Sequence, residues 1–316
     1  MAELVTTDTP AAAPAAGAPP IPGDVAELIR ARVGERPAPL VAGLFRSSLV
    51  LDRAPGPDSS GPDSSGPDSS GTDSSGPGSS GPDSSGTDSS GPGSSGPAGA
   101  AGLPAAEAVP VGRLGGPPAL PAGTDWPEAG GRPMQLLAEL DCAALATAFR
   151  STGPGAEDWP LPAEGLLLFF HDEWLSDFTG RGCRVLHVPA GAPPRPAPAV
   201  ERGAPVVPAV PVRAAWALSA PSYQDQELER LFPDDFLVAF DLAQDFAERL
   251  PRPEVRLLGW CDTDTGRPEG HRPLLQIGSG ALAVDWGECV NVSFWISEED
   301  FAVGRLDRVR HGFEGA

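Results

Sequence analysis

Two short stretches of this sequence set acidic, basic and hydroxyl groups close enough to suggest chemistry. His171-Asp172-Glu173 places an imidazole beside two carboxylates at the end of the apolar run Gly165 to Phe170. A histidine whose proton affinity is raised by a carboxylate can serve as a general base. Adjacent strand residues point to opposite faces, however, so the plainer reading is a solvated strand end. Asp262-Thr263-Asp264-Thr265 follows Leu257 to Cys261, the pattern by which haloacid-dehalogenase phosphatases hold an aspartyl nucleophile and magnesium. The chain has no lysine to meet a phosphate, and no alternating α/β pattern surrounds the motif. An Asp/Thr turn between strands is the simpler account. Read as half of a calcium loop, the same residues lack the bidentate Glu, since Pro273 stands there.

The remaining polar features are quieter. Gly115-Gly116-Pro117-Pro118 combines two residues that permit positive φ with two prolines that stiffen the chain after them. It would make either a tight crossover or the wall of a cleft, with Arg113 as anion donor and Trp126 as a stacking surface. Cys142, Cys183, Cys261 and Cys289 are scattered, without a CxxC pair or a His at ligand spacing, and read as reduced thiols rather than disulfides or a metal site. His187, His271 and His311 are isolated and read as structural. Asn291-Val292-Ser293 is a chance sequon match in a strand, and no G-x-S-x-G elbow occurs. Pro193 to Pro198 could present a polyproline helix, but reads as a stiff loop.

Composition excludes more than it proposes. All 22 basic residues are arginine, which removes Schiff-base, Walker-type and kinase lysine chemistry. A net charge of -21 argues against nucleic acid, whose binding needs a positive surface. No signal-peptide pattern opens the chain and no apolar window approaches about 18 residues, so the expectation is a cytoplasmic protein without a membrane span or a cofactor.

These residues must be held by a domain, and the 316-residue length allows one large or two small ones. Residues 1–22 are a Pro/Ala-rich tail expected to be disordered. Asp24 reads as the cap of a helix with Val25, Leu28, Ile29 and Val33 on one stripe, ended by Pro37, and Leu40 to Leu51 is β-rich. Gly56 to Ser95 holds eight copies of Gly-Pro/Thr-Asp/Gly-Ser-Ser with six carboxylates and no apolar side chain. Without a face to stack, such repeats cannot build a solenoid, so 54–107 reads as a disordered acidic spacer. Outside the repeat the hydrophobic share rises from 40% to roughly 46%, enough for a core. The segment 23–53 is too small to fold alone. The spacer is therefore expected to interrupt one domain made of 23–53 and 108–316, at a closure cost of roughly 2 kcal/mol.

Expected strands are Gln135 to Leu140, Gly165 to Phe170, Cys183 to Val188, Val212 to Leu218, Val255 to Trp260, Pro273 to Ile277, Ala281 to Trp286 and Cys289 to Ile296. The last alternates Val290, Val292, Phe294 and Ile296 against Cys289, Asn291, Ser293 and Trp295. One long helix is expected at Asp235 to Leu250, with Phe236, Ala239, Phe240, Ala243, Ala247 and Leu250 on one face and Pro251 closing it. Ser297 to Asp300 resembles a capped helical turn, and Leu306 to Phe313 can close the sheet. Many strands with few, unevenly placed helices give an α+β fold of mostly antiparallel sheets.

The order of several blocks is specific. Gly112 to Pro121 followed by Trp126-Pro127, then Leu136 to Asp141, Gly165 to Phe170, Leu257 to Trp260, Leu274 to Ile277, Trp286 to Cys289 and Ile296 to Phe313 together resemble the YwqG-like bacterial domain-of-unknown-function family. That resemblance implies a single α+β domain, cytoplasmic, with no established activity; some members lie near toxin genes, which brings an immunity role into view. The chain departs from the family at Glu139, where Gln is usual, at Trp260-Cys261, where Tyr-Pro is usual, and at Gly278, where an acid is usual.

Two functional readings remain. In the first, the domain is a non-enzymatic binding or interaction module for a small ligand or a basic protein partner, with a cleft among Arg113, Gly115, Gly116, Trp126, Glu139, His171 and Gln276. In the second it is a metal-independent hydrolase or small-molecule enzyme using His171 and nearby carboxylates. Convergence of His171, Glu139, Asp262 and Glu288 in one pocket would favour the enzyme.

Overall fold

The computed structural model describes residues 19–55, 108–150, 159–172, 182–192, 207–223, 225–261, 268–282 and 289–315. The tail, the pentapeptide repeat, the Pro193 to Pro198 run and the Asp262 to Thr265 motif lie outside the described residues, as do Glu173, Trp286 and Glu288.

The chain opens with helix α1 (Gly23–Val33), whose stripe buries Val25 and Ile29. Pro22 occupies the cap position and Asp24 sits inside the first turn, so the carboxylate faces the helix dipole instead of capping it. Pro37 starts the next helix, α2 (Ala38–Ala42), which takes the first part of the segment expected to be β-rich. Strands β1 (Arg46–Arg53) and β2 (Val109–Leu114), the hairpin β3 (Glu128–Ala129) and β4 (Arg132–Pro133), and β5 (Gln135–Asp141) come next. Helix α3 (Cys142–Arg150) leads to β6 (Leu166–His171), β7 (Cys183–Val188) and β8 (Val210–Ser219). Then come α4 (Gln226–Leu231), α5 (Phe236–Arg249), β9 (Val255–Leu257), β10 (His271–Gly278) and α6 (Ser279–Leu282). The chain ends with β11 (Cys289–Ser297), α7 (Glu298–Ala302), a 3-10 turn at Leu306–Arg308 and β12 (Arg310–Gly315).

Ten strands form one antiparallel sheet in the order β12-β11-β10-β9-β1-β8-β2-β5-β6-β7. The sheet curls until it is nearly closed: β7 touches β12 and the 3-10 turn across the remaining seam. Phe169 of β6 packs edge to face on Phe294 of β11 over this gap, at 5.3 Å between ring centroids. The interior holds alternate residues of the strands and one face of α3, including Leu49, Val111, Leu137, Leu145, Phe149, Leu257 and Ile277. Val292, Phe294 and Ile296 face this core, as the alternation in β11 requires.

Strand β1 lies in the middle of the sheet, hydrogen-bonded to β8 on one side and β9 on the other, although both come after the repeat in sequence. A second core joins α1, α2, α4 and α5 to Phe45 and Leu218 at the ends of β1 and β8. A third, smaller one packs Leu120, Met134 and Leu136 on Leu168 and Phe170, the opposite face of β6.

Two expectations are corrected. Helix α5 buries Ala239, Leu242, Ala243 and Phe246, while Phe236 is 53% exposed, so the buried stripe is rotated from the expected one. Of the strand expected at Ala281 to Trp286, Ala281 and Leu282 belong to the short helix α6, and 283–286 lie outside the described residues. The other expected strands are present with ends shifted by a few residues at most, and Ser297 caps α7 by accepting the Asp300 N–H at 3.0 Å.

Candidate functional site

The sequence-derived candidates fall in three places. Arg113, Gly115, Gly116, Trp126 and Glu139 surround the Gly-Pro crossover that comes after β2. Arg113 sits opposite Glu139 in register, and its Nη2 meets Glu139 Oε1 at 2.9 Å. The same guanidinium donates to the carbonyls of Gly115 and Pro117, and Glu139 Oε2 accepts the Ala119 N–H at 2.9 Å. Gly116 has φ 78°, and a methyl there would run into the Arg113 guanidinium. Trp126 donates its indole N–H to the Met134 carbonyl at 2.8 Å and packs edge to face on Phe170. Arg113 and Trp126 are thus engaged in fixing the loop.

His171 stands elsewhere. It shares the inward face of β6 with Leu167 and Phe169, whereas Glu139 pairs with Leu168 on the outward face, so sheet alternation separates the two. His171 is 1% exposed, and burial, with His311 adding to it, pushes its pKa down to about 3. A neutral imidazole there, edge to face with His311, is a core residue of the seam.

Gln276 belongs to the third place, which sequence reasoning largely missed. Arg46 and Ser48 of β1, Arg256 of β9, Gln276 of β10 and Ser293 of β11 alternate with core residues, so their side chains share the face turned away from the core. The Leu258 to Cys261 turn folds over them. Leu258 has φ 63°, a conformation costing a branched side chain roughly 1–2 kcal/mol, and Gly259 comes next at φ 77°. A Cβ on Gly259 would collide with Ser219 Oγ and Ser48 Cβ. This double left-handed turn seats Trp260 and Cys261 on the polar row.

The contacts under that roof are mutually consistent. Ser219 Oγ accepts the Trp260 N–H at 3.1 Å and donates to the Arg46 carbonyl. Arg46 lies over the Trp260 ring, 3.9 Å from its centroid, while the indole N–H reaches the Leu44 carbonyl. Ser48 donates to the Ala217 carbonyl, so its lone pair accepts Arg256 Nη1 at 3.0 Å. Cys261 Sγ lies 3.1 Å from both Gln276 Oε1 and Ser293 Oγ. An amide oxygen only accepts, so the thiol donates to Gln276 and the Ser293 hydroxyl donates to the sulfur.

Beside this row opens a pocket of about 150 Å³, bounded by the Ser219 to Tyr223 loop, the second half of α5, Arg252, Arg256 and Cys261. It is large enough for several waters or a small organic group. The sequence signals for this site were faint: Gln276, and the departure at Trp260-Cys261. The arginines and serines that complete it alternate inside apolar strands, where nothing local marks them.

Among the described residues no three His, Cys, Asp or Glu side chains are grouped to hold a metal ion, and no helix is long and apolar enough to cross a membrane. Compared with known proteins, residues 112–314 match the family described as "Domain of unknown function (DUF1963)". No curated protein matches the chain.

Proposed function

The chain belongs to the family of domains of unknown function DUF1963, and from that premise we propose that it is a binding module whose ligand enters the pocket between α5 and the polar row. The observation that carries this reading is the strained Leu258-Gly259 turn, which costs stability yet sets Cys261 against Gln276 and Ser293 beside an open cavity. Backbone strain of this kind clusters at ligand sites. The order of the blocks from Gly112 onward supports the finer YwqG-like assignment. The placement of β1 between β8 and β9 supports reading 54–107 as an insertion into one domain.

A binding role is preferred to catalysis because no acid–base pair faces this pocket among the described residues. His171 is held neutral in the core with Glu139 on the other side of the sheet.

The test is retention of a ligand. Protein purified from its native cell is denatured, and the small molecules released are compared by mass spectrometry with those from Ala247→Phe, which fills the pocket. A compound carried by the wild type and missing from the variant supports the reading; identical profiles refute it.

A further inference from the structure

We infer that the ligand of this pocket is a small anion, a molecule presenting a carboxylate or phosphate group to Arg252 and Arg256. The inference rests on the pocket reading above and adds the chemistry of the occupant. Carboxylates outnumber arginines 43 to 22 in the chain, yet the described residues lining the pocket include two arginines and no Asp or Glu. A random patch of this protein would be negative. The described part of this lining is positive, in a concave setting where field lines are focused.

The two arginines differ in a useful way. Arg256 is 2% exposed and held in a fixed pose by Ser48 Oγ at 3.0 Å and the Pro251 carbonyl at 2.5 Å. Its ordering cost is met during folding, so little is lost when a ligand arrives. Arg252 is exposed at the mouth and makes no hydrogen bond or ion pair with the described residues. It can swing onto an incoming charge. A guanidinium is a planar fork that matches two oxygens of a carboxylate or phosphate. Asp225, the carboxylate beside the loop, is turned to the Ser222 N–H at 2.7 Å and does not line the cavity.

The experiment uses the full chain, with inorganic phosphate and succinate as separate probes at constant ionic strength. Melting temperature and calorimetric heat are followed against probe concentration for the wild type, Arg252→Gln and Ala247→Phe. The expected result is a saturable response to at least one probe in the wild type. Its apparent Kd should rise tenfold or more in Arg252→Gln, and the response should vanish in Ala247→Phe. Which probe saturates at the lower concentration identifies the oxygen-bearing group. Because Arg252 is exposed, its variant reports even if the pocket-filling one fails to fold. An equal response in wild type and Arg252→Gln, or no saturable response to either probe, overturns the anion. A neutral or cationic compound retained by the wild type but not by Ala247→Phe would overturn the anion while leaving the pocket reading standing.

Discussion

His171 and His311 meet edge to face across the open seam of the sheet, with ring centroids 4.7 Å apart and planes at 89°. His171 is joined to β5 and β7 through Gln135 and Cys183 in register, and His311 to β11 through Phe294. The pair therefore continues the Phe169–Phe294 contact, so two ring pairs, with the Cys183 Sγ to Val309 carbonyl hydrogen bond, bridge the gap that the backbone ladder leaves open.

That placement predicts acid sensitivity. His171 is lowered from 6.5 to about 3 in the folded chain by burial and by His311. Above about pH 6.5 both folded and unfolded states hold it neutral. Below that the unfolded chain takes up a proton that the folded one refuses, so stability falls as pH drops, with a slope of up to roughly 1.4 kcal/mol per pH unit, until about pH 3. In His171→Phe, which keeps a ring at the seam, this component should be missing. Urea midpoints measured from pH 4 to 8 should show a shallower acid limb in the variant; parallel limbs would refute the assignment.

Arg113 and Glu139 yield a prediction about a loop rather than a ligand. Glu139→Ala removes the acceptor for both the guanidinium and the Ala119 N–H, and should cost about 2–3 kcal/mol. Glu139→Gln keeps an amide oxygen for one of them and should cost about 1 kcal/mol. Neither should alter probe binding at the α5 pocket, which calorimetry can check alongside chemical denaturation.

How much of this fold was legible in the sequence depends on periodicity. Strands β5, β6, β7, β8, β10 and β11 announce themselves because apolar runs between turn residues have few other uses. The alternation in β11 separates Val292, Phe294 and Ile296, which face the core, from Asn291, Ser293 and Trp295. The stripe on α5 misled because Phe236 and Phe240 weigh heavily in any apolar count, yet Leu242 and Phe246, about 120° and 80° round the helix from Phe236, meet the second core. Ala281 and Leu282 fall in a helix instead of the start of a strand because nothing in a short apolar run distinguishes the two. The polar row was hidden for another reason: Arg256 between Val255 and Leu257 looks like an outward, solvated position, and only tertiary packing reveals that it is buried.

The Cys261 bonds can be tested by two substitutions of opposite consequence. Cys261→Ser keeps one donor and an acceptor between Gln276 and Ser293, and should cost roughly 1 kcal/mol or less. Cys261→Ala removes both bonds inside a buried polar row and should cost about 1–3 kcal/mol. If the alanine variant is as stable as the serine one, the thiol is simple packing. The native thiol, 6% exposed, should also react with a maleimide far more slowly than the unfolded one.

The last prediction concerns the turn that roofs the site. Gly259 lies at φ 77° with Ser219 Oγ and Ser48 Cβ where a side chain would go, so Gly259→Ala meets two penalties at once. The left-handed conformation costs an alanine roughly 1 kcal/mol, and relieving the collision requires moving Ser219, which accepts the Trp260 N–H. A loss of about 2–4 kcal/mol is expected, with Trp260 shifted off Arg46 and a red shift in tryptophan fluorescence. Leu258 offers the contrast. Leu258→Gly relieves roughly 1–2 kcal/mol of strain but empties a side chain that is 2% exposed, worth about 2–3 kcal/mol, so the net change should be small and destabilising. A Gly259→Ala variant as stable as the wild type would mean that the turn relaxes freely and does not hold Trp260 and Cys261 against the polar row.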